Sequence, residues 1–505
     1  MTETNDVQKT PYGIIIVLFI GAFIAILNET LLNVALPSIM NEFAVKPTAV
    51  QWLSTGYMLI NGILIPASAF FIQRFSNRSL FITAMSLFTA GTLLAGFSPT
   101  FGILLVARMI QASGSAVMMP LLMNVMLVAF PIEKRGTAMG TFGLVMFVAP
   151  AIGPTLSGWI VEHYSWRTLF DIVVPFSIFT LLYAIFKLKN LTPQRDIKLD
   201  FLSIILSSFG FGGLLYGFSM AGDLGWSNPL VYGTISVGTV ALIMMVIRQL
   251  RMDEAMLEFR IFKYPMFALA SAISIVLAIA LFSGMILIPI YVQTIRGFSP
   301  VDAGLLMLPG AMIMGIMSPI TGRLFDQYGP KILAIIGLSI TIVTSYLFSR
   351  LDMTISYTSL VWIFSIRAFG MSMVMMPIMT NGLNQLPKEM YPHGTAMNNT
   401  LQQVSGAIGS ALLITIMNGR TESKAAELTA QTIEKMSPTE EIPAVIEKEI
   451  LNEAMLNGIN FSFLVSTLII CVALILTLFM KRVTTPAAII HPNDSDTPKT
   501  NAPIH

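Results

Sequence analysis

Charged residues are scarce in this chain. Aspartate, glutamate, lysine and arginine together make up 11% of its 505 residues, whereas soluble proteins carry about 25%. Hydrophobic residues make up 55%, and the mean hydropathy is +0.76. Because so few charges cannot cover a soluble surface of this size, we expect an all-α integral membrane protein. Its length would be used by membrane spans rather than by soluble domains.

Cysteine and histidine are also rare. The single cysteine, Cys471, lies in an apolar run, which excludes a disulfide framework and a cysteine-rich zinc site. The four histidines have no metal-ligand spacing. The sequence has no nucleotide-binding loop and no nucleophile–base arrangement, so we expect neither an enzyme nor a bound cofactor. The net charge of +2 argues against a nucleic-acid partner.

What the chain has instead is a series of apolar runs long enough to cross a bilayer, which takes about 17–25 residues. Fourteen runs predict fourteen transmembrane helices, called spans 1 to 14 here. They cover residues 12–36, 50–72, 79–97, 102–128, 137–160, 167–187, 201–220, 230–249, 264–291, 301–322, 331–349, 357–384, 396–418 and 458–480. The polar, acidic start before span 1 is not typical of a cleavable signal peptide.

Basic residues predict the orientation of these spans. With the N-terminus inside, the cytoplasmic segments hold nineteen lysines and arginines and the short outer loops hold four. That is the bias of the positive-inside rule. All five tryptophans fall near outer ends of spans, where an interfacial aromatic belt lies. We therefore expect both termini in the cytoplasm.

Four stretches of the first half recur in the same order about 255 residues later. The matching stretches are 66–78 with 319–331, 117–124 with 374–381, 136–139 with 394–397, and 151–153 with 407–409. These matches pair span 2 with span 10, span 4 with span 12, and span 5 with span 13. An even shift keeps both copies in the same orientation. The pattern therefore predicts two parallel six-helix repeats with two inserted helices between them.

The repeat also predicts how the chain is divided. The predicted segments are a cytoplasmic tail (1–11), a first six-helix half (12–187), a linker (188–200), two inserted helices (201–249), a second linker (250–263), a second six-helix half (264–480) and a cytoplasmic tail (481–505). We expect disorder in the last tail because of its composition. Residues 419–457 are interpreted as a solvated outer loop. Ile442, Val445, Ile446 and Ile450 leave a short amphipathic helix as the alternative.

Each charge inside a span is a candidate for function, because burying it in lipid is costly. Glu29 of span 1 is the only carboxylate deep in a span, and helix rise places Arg108 of span 4 at a similar depth. A carboxylate beside a cation can load and release a proton as its environment changes. The alternative is a static ion pair that only positions helices. Asp171 is either a second proton site or a surface carboxylate, and Arg367 is the second-half counterpart of Arg108.

Span 5 combines small residues with two prolines. Small residues let a neighbouring backbone approach, and proline bends a helix. The pattern predicts a kinked, close-packed helix at a rocking interface, although packing alone could explain it. The residues concerned are Gly143, Pro150, Gly153, Pro154 and Gly158.

Two loops and a set of amides complete the candidate residues. We interpret loops 69–79 and 322–331 as cytoplasmic latches, and we expect a polar cavity lined by adaptable methionine and phenylalanine. The gating residues are Arg74, Arg78, Gly322, Asp326 and Gly329. The cavity residues are Asn28, Asn33, Gln111, Asn124, Asn398 and Gln402.

Several of these stretches resemble the fourteen-helix drug:proton antiporters of the major facilitator superfamily. The resemblance covers about residues 12–482. It rests on Leu27–Pro37 in span 1, Arg108–Gly114 in span 4, Gly143–Gly158 in span 5, Ser165–Arg167 and Pro289–Gln293. The family commonly has Asp at the positions of Asn28 and Gln73, and Gly at that of Ser76. The second-half copy of the loop motif, with Asp326, is closer to the family pattern.

The resemblance implies a major facilitator fold and a proton-coupled antiporter that exports amphiphilic drugs by alternating access. The proton motive force would drive it without a cofactor. Its partners would be protons, small amphiphilic substrates and membrane lipids, and we expect a monomer in a bacterial plasma membrane. A flippase or exporter of an endogenous lipid is the alternative. A membrane scaffold would not need Glu29 and Arg108 at matching depths.

Overall fold

Helices account for nearly all of the residues that the computed structural model describes, which are 12–190, 194, 196–197, 200–252, 254–435 and 443–487. In chain order the α-helices are α1 (Tyr12–Phe43), α2 (Pro47–Val50), α3 (Trp52–Arg74), α4 (Asn77–Gly96), α5 (Phe101–Ala129), α6 (Arg135–His163), α7 (Thr168–Lys187), α8 (Phe201–Leu224), α9 (Pro229–Arg251), α10 (Pro265–Ile290), α11 (Pro300–Tyr328), α12 (Pro330–Phe348), α13 (Tyr357–Ser372), α14 (Met375–Gln385), α15 (Tyr391–Lys435) and α16 (Ala444–Leu478).

Fourteen helical segments in the described residues are long and apolar enough to cross a membrane, which confirms the predicted number of spans. The short α2 is not one of them, and α13 with α14 forms a single crossing, Tyr357–Gln385. Below, the side of the bundle on which α1 begins is called the proximal side, and the other is called the distal side.

Local sequence explains where several helices begin. Ser76 and Thr100 accept hydrogen bonds from backbone N–H groups in the first turns of α4 and α5. Ser299 and Asp302 form a reciprocal capping box at the start of α11. Gly329 separates α11 from α12 with φ of +79°, a conformation that favours glycine. These caps turn the chain sharply between antiparallel spans.

The two halves have the same internal packing. In the first half α6 packs on α1, and α5 packs on α3 and α4. In the second half the corresponding helix α15 packs on α10, and α13 packs on α11 and α12. The halves meet where α6 packs on α11 and where α3 packs on α15. This arrangement confirms the predicted doubled six-helix architecture.

The inserted hairpin, α8 with α9, lies across one of these two seams. Helix α8 contacts both α3 and α15. Trp52 of α3 stacks on Tyr216 of α8, with ring centroids 5.7 Å apart. At the distal end, Trp226 donates a hydrogen bond from Nε1 to Thr415 Oγ1 of α15 at 2.6 Å. The insert is therefore attached to both halves.

The interpretation of residues 419–457 as an outer loop is wrong for most of that segment. Helix α15 continues to Lys435 and α16 begins at Ala444, so both spans extend beyond the distal side as paired helices. Arg420 donates to Asn457 Oδ1 at 2.9 Å between them. Outside the membrane, exposed Glu, Lys and Gln side chains can cover a helix. The hydropathy of the sequence therefore falls there although the helix continues. Ile442 lies outside the described residues.

Candidate transport site

Helix α1 is held against α6 at the level of the candidate carboxylate. A Cβ on Gly153 of α6 would overlap the side chain of Thr30, so only glycine permits this approach. Ser157 of α6 donates its hydroxyl to the Leu31 carbonyl at 2.5 Å. Thr30 and Leu31 directly follow Glu29. The small residues predicted for α6 therefore position the turn of α1 that carries Glu29.

Arg108 of α5 is the largest fully buried side chain, with 1% of its surface exposed. It donates from Nη1 to Gln111 Oε1 at 2.5 Å, and Gln111 donates in turn to Thr92 Oγ1 of α4 at 2.7 Å. Its guanidinium carbon lies 4.3 Å from the ring centre of Tyr57 on α3. Helices α3, α4 and α5 thus supply the uncharged groups around this cation.

Glu29 lies close enough to Arg108 to interact with it electrostatically. Within the described residues, however, Glu29 has no ion pair within 4.0 Å. Arg108 also keeps its Nε proton without a hydrogen-bond acceptor there. The carboxylate and the guanidinium therefore interact at a distance without forming an ion pair. Such a pair responds to a proton or ligand placed between them.

The counterpart in the second half is arranged differently. Arg367 of α13 is also buried, and it donates from Nη2 to the Ala280 carbonyl at 2.5 Å and to Ser283 Oγ at 3.1 Å. Its Nε donates to Ser345 Oγ at 3.2 Å. Gly284 leaves room for this side chain, since a Cβ there would overlap the guanidinium. Arg367 is therefore a buried cation that donates to carbonyl and hydroxyl oxygens.

The predicted latch at Asp326 joins the two halves on the proximal side. The Asp326 carboxylate of α11 accepts hydrogen bonds from the backbone N–H groups of Gly136 and Thr137, both at 2.8 Å, and from the Thr137 hydroxyl at 2.7 Å. These groups form the N-terminus of α6, where a negative charge is favoured. Arg482 donates to the backbone carbonyls of Asp326 and Gln327.

Next to the Asp326 latch, glycines bring the backbones of α6 and α11 together. A Cβ on Gly322 of α11 would overlap the Gly136 backbone of α6, and a Cβ on Gly140 would overlap the Ser318 carbonyl. A Cβ on Gly143 would overlap the Ser318 side chain. Helices α6 and α11 therefore touch through backbone atoms over two turns. Gly329, the second predicted gating glycine, shapes the turn to α12.

Sequence reasoning missed a second proximal link. Gln73 of α3 lies 3.1 Å from His393 of α15, measured between their Nε2 atoms. His393 Nδ1 accepts from the Glu258 backbone N–H at 3.2 Å, which ties the second linker to this contact. Gln73 occupies the repeat position of Asp326, and His393 directly precedes Gly394, the repeat of Gly136. The sequence repeat was the signal that could have predicted this pair.

Arg135 forms a third link between the halves. It donates from Nη1 to Asn384 Oδ1 of α14 at 3.1 Å, and its guanidinium carbon lies 4.9 Å from the ring centre of Tyr391. Asn399 of α15 also reaches Met123 Sδ of α5 at 3.7 Å. All of these contacts lie in the proximal half of the bundle. The halves are therefore joined there.

The predicted cavity amides fall into two groups. Asn28 Nδ2 and Asn124 Oδ1 are buried and have no hydrogen-bond partner in the described part of the chain. Gln111 and Asn398 are bound, the latter donating to Met379 Sδ at 2.8 Å. Gln402 is half-buried on α15. Asn33 lies on α1, and its side chain is outside the described residues.

Three predicted residues lie away from the Arg108 pocket. Asp171 is exposed in the first turn of α7. Arg74 pairs with Asp196 of the first linker, and Arg78 donates to the Ile185 carbonyl at 2.6 Å, so both bind within their own half or to the linker.

The remaining predicted residues belong to the motif in α6. Pro150 and Pro154 lie inside α6 without ending it, and Gly158 approaches Val301 of α11.

Comparison with known proteins decides the family. Residues 18–410 match the model of the Major Facilitator Superfamily. The chain belongs to this superfamily. It is thus a multi-pass membrane transporter and not an enzyme, as the sequence predicted. The human organic anion transporter MFSD10 (TETRAN) has a similar fold: its structure superposes with a TM-score of 0.60 at 13% identity, over 91% of this chain and 99% of that one.

Two relatives indicate where this transporter lies within the superfamily. It is 52% identical to the uncharacterized MFS-type transporter YhcA of Bacillus subtilis, over 84% of this chain and 80% of that protein. It is 42% identical to the lincomycin resistance protein LmrB of Listeria monocytogenes, over 95% of this chain and 99% of that protein. The predicted resemblance to drug-resistance transporters is confirmed at this level.

Proposed function

We propose that this transporter exports amphiphilic drugs or other toxic compounds from the cytoplasm in exchange for protons. Its proximal side would face the cytoplasm, as the positive-inside bias predicts. The similarity to a lincomycin resistance protein over nearly the whole chain supports export of a drug-like compound. Protons would enter from the distal side, down their gradient across a bacterial plasma membrane, and no cofactor would be needed.

Glu29 is the observation that carries this proposal. It is a carboxylate in the first membrane-spanning helix, near a buried arginine with which it forms no ion pair in the part of the chain that the structure describes. When Glu29 is ionised, Arg108 attracts it and a cationic or polar substrate can compete for it. When Glu29 is protonated, that attraction is lost and the helices are free to rearrange. Proton and substrate would therefore bind in alternation.

The proximal contacts supply the two-state element that such a cycle needs. Asp326 and Gln73 join the halves through the ends of α6 and α15. With these contacts made, access from the cytoplasm is closed and Glu29 is open to protonation from outside. With them broken, the halves rock apart on the proximal side and substrate enters. Alternating access of this type needs few rearrangements inside either half.

Amphiphilic substrates fit the groups that the bundle presents between its halves. Met123 lies against Asn399 of the other half, and Met376 lies near Gly143 of the other half. Thioether side chains adapt to varied apolar shapes. Asn28 Nδ2 and Asn124 Oδ1, which have no partner among the described residues, can form a small number of oriented hydrogen bonds. An apolar lining with few polar groups favours hydrophobic compounds of varied structure.

Proton release on substrate binding tests this proposal. Purified wild-type protein in weakly buffered detergent solution should release protons when lincomycin is added, and Glu29→Gln should not. Glu162→Gln, which removes an exposed carboxylate near the end of α6, is the matched control and should behave like the wild type. Release that persists in Glu29→Gln would contradict the role of Glu29.

Transport in vesicles separates export of drugs from export of lipids. With an imposed pH gradient, drug uptake into inverted vesicles should require Glu29. If the wild type moved a fluorescent phospholipid between leaflets and no drug, the flippase alternative would replace the antiporter.

A further inference from the structure

An open groove lies on the first half, and α3, α4 and α5 supply its lining residues. It has a volume of about 340 Å³ and lies between α3 and α4, with α5 as its floor. Helices α3 and α4 both pack on α5 but make little contact with each other. The lining residues are Leu64, Phe71, Phe75, Ser79, Leu80, Thr83, Ala84, Leu87, Ser113 and Val117.

The groove has the dimensions of one bilayer leaflet. On α3 it runs from Phe75, at the proximal end, to Leu64, which is about 16 Å along the helix axis. Half of a hydrocarbon core of about 30 Å is about 15 Å. On α4 the side chains of Ser79, Thr83 and Leu87 follow one face of the helix, and all three are exposed. The opening therefore faces lipid along its whole length.

Basic residues surround the proximal mouth of this groove. Arg74 and Arg78 directly precede the lining residues Phe75 and Ser79. Lys187 and Lys189, at the end of α7, are exposed nearby, because Arg78 donates to the Ile185 carbonyl of the same helix. Among the described residues, the one carboxylate bound to these arginines is Asp196, which pairs with Arg74 and is 91% exposed. The mouth therefore has an excess of positive charge.

We propose that this groove binds one acyl chain of an anionic phospholipid, whose phosphate is held by Arg74 and Arg78. The apolar walls match the chain in chemistry and depth. Guanidinium groups bind phosphate through several N–H donors, and Arg78 uses only Nη2 for its carbonyl contact. The phosphate would compete with exposed Asp196 for Arg74. The lipid belongs to the cytoplasmic leaflet if the proposed orientation holds.

Photochemical labelling tests the proposal. The protein is placed in phosphatidylcholine nanodiscs with a trace of phosphatidylglycerol carrying a diazirine on one acyl chain, and labelled peptides are mapped by mass spectrometry. Phosphatidylcholine with the same diazirine chain is the comparison. We expect peptides from α3 and α4 to be labelled about fivefold more by the anionic lipid, since one basic residue near a membrane contributes about 1 kcal/mol.

Two substitutions separate the chain site from the headgroup site. Thr83→Trp should fill the groove and abolish labelling there with both lipids. Arg78→Gln should leave labelling by phosphatidylcholine unchanged and remove most of the anionic preference. Val343→Trp, at a lipid-facing position of α12 with 58% exposure, is the control and should change neither. Leu87→Trp repeats the block if Thr83→Trp fails to fold.

Three outcomes would overturn the proposal. They are equal labelling by both lipids, labelling that survives both tryptophan substitutions, and displacement of both lipids alike by tetraphenylphosphonium, which would assign the groove to exported amphiphiles. The labelling needs no transport. Failure of the antiport proposal would therefore not alter its result.

Discussion

At the scale of single residues, Asp326 is the charge whose contacts best explain how the halves are held together. Its carboxylate accepts three hydrogen bonds from the start of α6. We expect Asp326→Asn to lose the negative charge and at least one acceptor, and to weaken proximal closure by about 2 kcal/mol, roughly 30-fold in population. The proximal side should then open more often.

Spin labels measure this opening. In a Cys471→Ser background, labels on Lys134→Cys and Arg323→Cys report the proximal distance by double electron–electron resonance, and Asp326→Asn should lengthen it. Asp302→Asn changes the distal capping box of the same helix and should leave the proximal distance as it is. An unchanged distribution in Asp326→Asn would show that glycine packing alone holds the proximal side closed.

The ion pair of Asp200 with Arg248, at the base of the inserted hairpin, predicts that the stability of the fold depends on pH. Arg248 donates to both of its oxygens, at 2.8 and 3.0 Å, and holds the pKa of Asp200 at about 2. Because the ordinary value is near 3.9, this ion pair stabilises the fold fully above about pH 4. The stabilisation is lost as the pH falls toward about 2.

Thermal unfolding of Arg248→Gln checks this dependence. The melting temperature should lie below that of the wild type at pH 7, and the gap should narrow progressively below pH 4. Arg251→Gln removes a neighbouring exposed charge and serves as the control. A gap of the same size at pH 7 and pH 3 would mean that Arg248 acts through packing instead.

Sequence reasoning reached the residues of the candidate site more easily than their contacts. Glu29 and Arg108 stand out because charges in apolar spans are rare, and helix rise alone gave their common depth. Depth does not give rotation about a helix axis, so the missing direct contact could not be foreseen. Tyr57 has no such signal, because its sequence context does not distinguish it from other aromatic residues of a span.

At the scale of helices, the contact between α6 and α11 depends on residues without side chains. Gly322→Ala would place a methyl group against the Gly136 backbone, which cannot move aside as a side chain can. We expect a cost of about 1–3 kcal/mol to the closed arrangement and a loss of transport. Drug efflux from intact cells, normalised to the amount of folded protein, measures it.

Gly233→Ala is the matched control for this substitution. Gly233 lies in α9 with nothing within 4 Å of an added Cβ, so alanine there should be neutral or slightly stabilising. If Gly322→Ala kept full transport, backbone contact between α6 and α11 would not be needed for the cycle.

The helices themselves were largely predictable, because a bilayer demands long apolar runs and helical hydrogen bonding. Hydropathy gave the number of spans, yet it placed the end of span 13 near residue 418, whereas α15 ends at Lys435. Beyond the membrane a helix no longer needs apolar residues. Hydropathy therefore marks the edge of the lipid and not the end of the helix.

At the scale of the whole molecule, the inserted hairpin restrains the seam between α3 and α15. The hydrogen bond from Trp226 to Thr415 is its distal attachment. Trp226→Phe and Thr415→Val should each lower the free energy of unfolding by about 1 kcal/mol. Since both remove the same bond, the double variant should be little worse than either single one.

Chemical denaturation of the wild type, both single variants and the double variant in detergent measures the unfolding free energies for this comparison. Trp226 also lies against Phe218, and the phenylalanine substitution keeps that aromatic contact. Additive losses would show that the two side chains act independently and that the hydrogen bond does not tie α8 to α15.

The length of α15 has a mechanical consequence. The helix begins beside the His393 contact on one side of the membrane and ends well outside the other, about 68 Å away. A continuous rod of that length amplifies rotation: a tilt of 5° at its base moves its tip by about 6 Å. Each transport cycle would thus move the tip of α15 at the cell surface. An antibody fragment against the paired helices could then distinguish one state from the other.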